Sequence, residues 1–296
     1  MRTLTDLDYG GGRLIDLYLP DGGDGAAALV TWSHGSAFLG ENGRDGAEIV
    51  AENLVPLGYA VAGIMSPSTR TAVFPAQLDA VHDSLAFLAG NADEWGIDPG
   101  RIASMGESSG GWFACMAGLA TDRVRAVVAY YPPTDLAAMN RHAAEAGYRP
   151  DATPRGPDDV IPDGSAMDHD DPESPESLLL AGPVQERLER AAAASPVTYV
   201  RADAPPVLIL HGDRDVLVPV GQGRALAERL AAVGAPVTFV RLPAAGHGDW
   251  DAWQDDPVLG AGALAYDGRG RELIERGPIA SSWNVITDFL GAALHP

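Results

Sequence analysis

The stretch RIASMGESSGGWFACMAGLA, residues 101–120, decides the fold. Its first five residues form a short apolar run that predicts a buried strand, and residues 112–120 have the composition of a helix. Between them lie residues 106–111, Gly-Glu-Ser-Ser-Gly-Gly. Glycine and serine are small enough for the chain to reverse within a few residues. The stretch therefore predicts a strand that turns sharply into a helix.

Similar apolar runs recur along the chain between segments with helical periodicity. Apolar residues from Leu78 to Leu88 repeat at intervals of three and four, which places them on one face of a helix. Further helices are predicted at 223–233 and 283–294, and residues 13–19 are expected to form an antiparallel edge strand. Alternating strands and helices predict an α/β fold with a mostly parallel sheet covered on both faces. The buried strands are predicted at 26–31, 59–64, 101–105, 124–131, 206–210 and 236–242.

Two irregular segments interrupt this alternation. Residues 140–177 are rich in Asp, Glu, Pro and Gly, although they lie between two core strands. A loop of that length is usually a functional cover or partly disordered. We predict a single domain over residues 1–296, with irregular, cap-like insertions at about 138–195 and 249–280.

Composition excludes several function classes. The chain has 41 acidic and 20 basic residues, a formal charge of −21, which repels phosphate backbones and anionic membrane surfaces. All 20 basic residues are Arg, so Schiff-base chemistry, pyridoxal-phosphate anchoring and a phosphate-loop lysine are excluded. We expect neither a nucleic-acid nor a membrane partner.

The expected cellular location follows from signals that the sequence does not contain. The single cysteine, Cys115, cannot form an internal disulfide, and residues 1–8 do not resemble a secretory signal. No apolar run approaches about 18 residues, the length that a membrane span needs. We predict a cytoplasmic protein. A homodimer is a possible oligomeric state that the sequence leaves open.

Ser108 is the predicted nucleophile. It has Gly106 and Gly110 two residues to either side, and between a strand and a helix this G-x-S-x-G spacing is typical of a nucleophile elbow. The amides at the start of the following helix favour negative charge near the serine. An ordinary tight turn is the alternative interpretation.

A nucleophilic serine needs a base, and the base needs an acid that orients it. In the chain order that accompanies such an elbow, the acid and then the histidine follow the serine. The turn after the strand at 206–210 holds Asp213 and Asp215. Beyond this turn only His247 and the penultimate His295 remain. We predict His247 as the base, the alternative being a histidine in a surface loop.

Backbone amides are the predicted donors for an oxyanion. Residues 32–40 form a loop of small residues after the strand at 26–31, at the same sheet edge as Ser108. We expect the amides of Ser36, Ala37 and Ser109 to converge on the carbonyl oxygen. Phe38, in the same loop, is expected to bind substrate.

These motifs stand in one order, and the chain resembles the α/β-hydrolase superfamily. More narrowly, it resembles the esterase branch that includes hormone-sensitive-lipase-like and BD-FAE-like (feruloyl-esterase-type) carboxylesterases. The resemblance covers roughly residues 14–248 and implies an α/β-hydrolase fold with an inserted cap. It also implies that Asp215, the second Asp of a His-Gly-x-x-Asp turn, is the acid, while Asp213 orders the turn. The motifs that carry it are HGSA (34–37, for the family's His-Gly-Gly-Gly), DPGRI (98–102), GESSGG (106–111), YPPTDL (131–136), SPVTYV (195–200), HGDRDVLVP (211–219) and GHG (246–248).

The chain departs from this pattern in two places. Ser36 and Ala37 replace glycines, which narrows the acyl side of the site. The insertion at 249–280 stands where relatives usually pass straight into the final helix. Its Trp250 and Trp253 should be buried, either in the core or as a pocket wall. We predict the wall, and so a substrate-binding role, because Trp250 lies three residues after His247.

Together these residues predict a serine carboxylic-ester hydrolase that acts on a small to medium ester through an acyl-enzyme. Ser108 attacks, His247 transfers the proton and Asp215 orients His247, so no metal and no organic cofactor is required. The same triad acting on a peptide, a lactone or an acyl-transfer substrate is an alternative. A non-catalytic binding protein with this fold is a second alternative, although binding does not need Ser, Asp and His together.

Overall fold

A computed structural model describes residues 1–22, 25–156, 159–248, 250, 262–279 and 283–295. The strands in this part are β1 (Arg2–Gly10), β2 (Arg13–Leu19), β3 (Ala27–Ser33), β4 (Ala60–Ile64), β5 (Ile97–Glu107), β6 (Ala126–Tyr130), β7 (Arg149–Ala152), β8 (Ser165–Met167), β9 (Val207–Gly212), β10 (Val237–Leu242), β11 (Leu264–Arg269) and β12 (Glu272–Pro278). The α-helices are α1 (Ala47–Leu54), α2 (Ala76–Gly90), α3 (Ala92–Trp95), α4 (Ser109–Leu119), α5 (Met139–Glu145), α6 (Pro175–Leu180), α7 (Leu188–Ala193), α8 (Gly221–Val233) and α9 (Trp283–Leu294).

Ten of these strands form one twisted sheet in the order β1-β2-β4-β3-β5-β6-β9-β10-β11-β12. The six adjacent strands β4-β3-β5-β6-β9-β10 run parallel to one another. They correspond to the six predicted buried strands, so the mostly parallel sheet is confirmed. Because parallel strands end at the same edge, the loops after β3, β5, β9 and β10 meet there.

Helices cover both faces of this sheet. Successive side chains of a strand point to opposite faces: Leu29 of β3 packs in the layer that holds α2, α4 and α8, and its neighbour Val30 packs in the layer that holds α1 and α9. The central strands are therefore buried on both sides. None of the helices described is both long and apolar enough to cross a membrane.

Two sequence-based expectations are wrong. Residues 13–19 do form an antiparallel strand, but β1 lies outside it and is the edge. Most side chains of β1 are exposed or half-buried, so its sequence lacks the pattern of a buried strand. Residues 264–278 are not irregular, because β11 and β12 form a hairpin that extends the sheet beyond β10. Its outer strand is largely exposed, which hides the apolar periodicity.

The segment between β6 and β9, which we call the cap, is built from short elements. It holds α5, α6 and α7 and a separate two-stranded parallel sheet of β7 and β8. None of these elements exceeds seven residues, which explains why no long periodic pattern marks them in the sequence. Residues of the cap reach the same cavity as the loops at the carboxyl edge of the sheet.

Candidate active site

Ser108 lies at the sharp turn between β5 and α4. Its backbone has φ 54° and ψ −125°, a strained conformation for a residue with a side chain. A Cβ at Gly106 would lie 2.3 Å from the carbonyl oxygen of Gly110, and one at Gly110 would lie 1.9 Å from that of Ser33. Only glycine fits at either position. The backbone of β5, α4 and the neighbouring β3 therefore holds Ser108 in the geometry of a nucleophile elbow.

Three side chains from distant parts of the chain form one hydrogen-bonded line. The Nε2 atom of His247 lies 3.0 Å from Oγ of Ser108. Its Nδ1 atom lies 2.8 Å from Oδ2 of Asp215. His247 comes from the loop after β10 and Asp215 from the loop after β9. The structure thus brings together the three residues that the sequence predicts as nucleophile, base and acid.

Asp215 is fixed from several sides. Its Oδ1 atom accepts hydrogen bonds from the backbone N–H groups of Leu217 at 2.9 Å and Val218 at 2.7 Å. Nε2 of the buried His211 lies 3.5 Å from Oδ2. Burial alone would raise the pKa of Asp215, but His247 and His211 outweigh it and lower this pKa below its usual range. The side chain is therefore a carboxylate at neutral pH.

Asp213 has a different partner. Its carboxylate accepts two hydrogen bonds, at 2.9 and 2.7 Å, from the guanidinium of Arg241 on the neighbouring strand β10. Both side chains are about one quarter exposed. This placement agrees with a role in ordering the turn.

The charge around His247 favours the imidazolium form. Burial of the ring lowers its pKa, but the carboxylate of Asp215 raises it, with smaller contributions from Glu107 and Glu176. The net result is a pKa above the ordinary value for histidine. The ring of Tyr131 packs against the imidazole, with 4.5 Å between the ring centroids. The surroundings of His247 therefore stabilise a protonated imidazole at this position.

Glu107, which sequence reasoning did not single out, holds the loop that follows β3. Its buried carboxylate accepts a hydrogen bond from the backbone N–H of Gly35, and its Oε1 atom lies 3.5 Å from Nδ1 of His34. Its position next to the predicted nucleophile was the only available signal. Glu107 thereby links the elbow to the loop that carries Ser36 and Ala37.

The predicted oxyanion donors are close together but not equivalent. The amide of Ser36 donates to Oγ of Ser109 at 2.8 Å, so its one hydrogen is already engaged in this conformation. Among the described residues, the amide of Ala37 has no hydrogen-bond acceptor. The amide of Ser109, at the first residue of α4, has no acceptor within the helix. In this conformation the amides of Ala37 and Ser109 are the available donors, and the role predicted for the amide of Ser36 stays a prediction.

A cavity of about 340 Å³ opens beside Ser108 and His247. The loop after β3 contributes Phe38, as the sequence predicted, and the turn after β9 contributes Leu217 and Val218. No sequence pattern predicted the residues that the cap and the segment after β4 add to the wall. They are Arg70, Pro133, Pro154, Arg155, Gly156, Met167, Pro175 and Glu176.

The two predicted wall tryptophans do not share this position. Trp250 is buried in the core layer under the sheet, with its ring centroid 4.4 Å from that of Trp32 and 5.7 Å from that of Tyr130. It does not line the cavity, so the wall prediction is wrong for Trp250 and the core alternative holds. Trp253 lies outside the described residues.

Comparisons with known proteins place these observations in a family. The BD-FAE family model matches residues 15–230. The probable carboxylic ester hydrolase LipM of Mycobacterium tuberculosis is 29% identical over 243 residues, which cover 81% of this chain and 54% of LipM. Esterase LipQ of the same organism is 27% identical over 263 residues, which cover 82% of this chain and 56% of LipQ. The chain thus spans about half the length of these curated relatives.

Solved structures show the same fold. A truncated carbohydrate esterase from gut microbiota is 25% identical and superposes with a TM-score of 0.69, over 83% of this chain and 89% of that one. Carboxyl esterase 2 of the mycorrhizal fungus Tuber melanosporum is 21% identical, with a TM-score of 0.70, over 99% of this chain and 86% of that one. The predicted α/β-hydrolase fold is confirmed.

Proposed function

This chain belongs to the BD-FAE family, and we propose that it is a carboxylic-ester hydrolase whose nucleophile is Ser108. The observation that carries the proposal is the line of hydrogen bonds from Ser108 through His247 to Asp215, beside a cavity that Ser108 and His247 line. The names of the relatives LipM, a probable carboxylic ester hydrolase, and LipQ, an esterase, support the same activity.

In the proposed reaction, Oγ of Ser108 attacks the ester carbonyl carbon while Nε2 of His247 takes the hydroxyl proton. The amides of Ala37 and Ser109 donate to the oxyanion of the tetrahedral intermediate. When that intermediate collapses, the alkoxide leaves with the proton from His247 and an acyl-enzyme remains. A water molecule, deprotonated by His247, then attacks the acyl group and releases the acid and Ser108. The atoms and protons of each step are supplied by the ester, water and the three side chains alone.

Asp215 acts through His247. Its Oδ2 atom accepts the Nδ1 proton of the imidazole, so the free lone pair of the ring is on Nε2 and faces the serine. The carboxylate also stabilises the imidazolium between the two proton transfers. The size of the cavity, about 340 Å³, suits a small to medium ester.

Labelling and turnover test this proposal. A fluorophosphonate probe should modify Ser108, as mapped by mass spectrometry, and p-nitrophenyl esters of short acids should give a burst followed by steady release. Ser108→Ala should remove the label and lower turnover by about 10⁵-fold or more, because the nucleophile is lost while the fold is kept. A label on another serine, or unchanged turnover, would refute the assignment. The absence of any turnover with esters would favour the peptide, lactone or acyl-transfer alternatives, or a binding role.

A further inference from the structure

One buried acidic side chain, Glu176, lies in the wall of the catalytic cavity. It is the second residue of α6, and its side chain is only 3% exposed. Among the described residues that line the cavity, it is the one carboxylate, and it shares that cavity with Ser108 and His247. A carboxylate in such a place is costly unless it is paired or hydrogen-bonded. The partners of Glu176 therefore determine what this part of the cavity can bind.

The first partner is His169, which holds one carboxylate oxygen. Its Nδ1 atom lies 2.8 Å from Oε2 of Glu176. His169 is itself fixed, because its backbone N–H donates to Asn140 at 2.9 Å and its carbonyl accepts from Ser174 at 2.8 Å. The glutamate is thus held in one orientation by a rigid neighbour.

The hydrogen bonding of His169 shows which ring nitrogen serves Glu176. Within the described part of the chain, the buried Nε2 atom of His169 has no hydrogen-bond partner. Its Nδ1 atom is at hydrogen-bond distance from Oε2, so the proton on Nδ1 is the one that the carboxylate accepts. His169 therefore supplies one hydrogen bond to Glu176, through Oε2.

The other carboxylate oxygen of Glu176, Oε1, belongs to a side chain of the cavity wall. No described residue donates a hydrogen bond to Oε1, and the neighbouring wall residues Met167 and Pro175 offer no side-chain donor. In a mostly apolar wall, an acceptor that is charged and held in place favours a ligand that brings a donor and a positive charge.

The two arginines of the cavity do not neutralise Glu176. Arg155 is paired with Asp171, at 3.1 Å, and with Glu173. Arg70 is exposed, so its charge is screened by water, and it forms no ion pair with any described acidic residue. Neither guanidinium therefore offsets the charge of the glutamate.

We propose that Glu176 is a substrate-binding residue that takes up a protonated amine of the ester substrate through Oε1. The proposal rests on the proposed function, because it names a substrate class for the same site. An ammonium group donates a charge-assisted hydrogen bond to Glu176, an alcohol donates a weaker neutral one, and a carboxylate is repelled.

Competitive inhibitors of equal chain length test this without knowledge of the true substrate. With p-nitrophenyl acetate as the reporter at physiological salt and about pH 7.5, where a primary alkylamine is protonated, the probes are hexylammonium, 1-hexanol and hexanoate. Hexylammonium should inhibit with an inhibition constant roughly ten- to hundredfold lower than that of 1-hexanol, the range for a hydrogen bond to a charged group. Equal or tighter inhibition by 1-hexanol or hexanoate would overturn the proposal.

Two variants locate the effect. Glu176→Gln keeps the shape of the side chain but removes its charge, so the ratio of the two inhibition constants should fall to about one. Glu186→Gln removes one exposed charge from the same cap and should keep the wild-type ratio, which separates a local effect from the charge of −21 on the whole chain. A ratio that survives Glu176→Gln overturns the proposal. If Glu176→Gln does not fold, the ratios of the inhibition constants in the wild-type protein and in Glu186→Gln decide whether the cavity prefers the ammonium.

Failure of this inference is distinguishable from failure of the proposed function. If p-nitrophenyl acetate is hydrolysed and the inhibitors show no preference for the ammonium, only the role of Glu176 is wrong. If there is neither turnover nor a label on Ser108, the esterase proposal is wrong. Titration calorimetry with the same three probes then still measures whether the cavity prefers the cation.

Discussion

The contrast between Asp215 and Asp213 gives the sharpest test of the triad, because replacement by asparagine changes one atom in each case. In Asp215→Asn, the oxygen of the new amide must stay where Oδ1 is, because two backbone N–H groups, of Leu217 and Val218, donate to that position. The NH₂ group then faces Nδ1 of His247. A donor at that place forces Nδ1 to be the acceptor, so the imidazole carries its proton on Nε2.

That tautomer cannot act as the base. Its Nε2–H group points at Oγ of Ser108, 3.0 Å away, and has no lone pair to receive the serine proton. We expect turnover to fall by about 10³- to 10⁴-fold, the size of the effect when a triad acid is made neutral. Substrate binding should change much less, since Asp215 is buried and does not line the cavity.

Asp213→Asn is the matched control. It weakens the ion pair with Arg241, which is partly exposed, so a loss of up to about 1 kcal/mol in the free energy of unfolding is expected. For a chain of this size that lowers Tm by about 2 °C, with little change in kcat. The assay is kcat and KM with p-nitrophenyl acetate, together with Tm by calorimetry. Equal losses of kcat in the two variants at matched Tm would refute the assignment of Asp215 as the acid.

Three further predictions follow from the same geometry. On the acid side of its pH profile, kcat/KM should reach half of its plateau at a pH above about 6.5, the ordinary pKa of histidine. The reason is that the pKa of His247 is raised and only the neutral ring accepts a proton. A midpoint below that pH would contradict the electrostatics. Trp250→Ala should lower the free energy of unfolding by about 3 to 5 kcal/mol, since Trp250 packs on Trp32. It should leave unchanged the order in which esters of different chain length are preferred. A changed order would mean that Trp250 forms a wall of the substrate pocket. Gly110→Ala should lower Tm and turnover, because its Cβ would meet backbone at 1.9 Å, whereas Gly90→Ala, with open space around it, should lower neither.

Sequence alone determined which residues form the candidate site, because they stand in short stretches at the ends of strands. The turn around Ser108 is dictated by the two glycines that flank it, and the order of serine, aspartate and histidine follows from which strand each loop succeeds. Buried parallel strands are recognisable in a sequence as continuous apolar runs. The six central strands could therefore be placed without coordinates, whereas the exposed β1 and β12 could not.

Tertiary structure alone decided which side chains face one another across the site. The family resemblance predicted different roles for Asp213 and Asp215, and packing gives the physical reason, because Asp213 meets Arg241 while Asp215 meets His247. Because Trp250 is close to His247 in the sequence, it was predicted to form a pocket wall. In the structure, its ring packs against Trp32 in the core instead. Glu176 lies in an acidic, irregular stretch that resembles a solvated loop, yet the cap folds it over Ser108. Local conformation is set by neighbours along the chain, while the lining of a cavity is set by segments that are distant in sequence and meet only when the core packs.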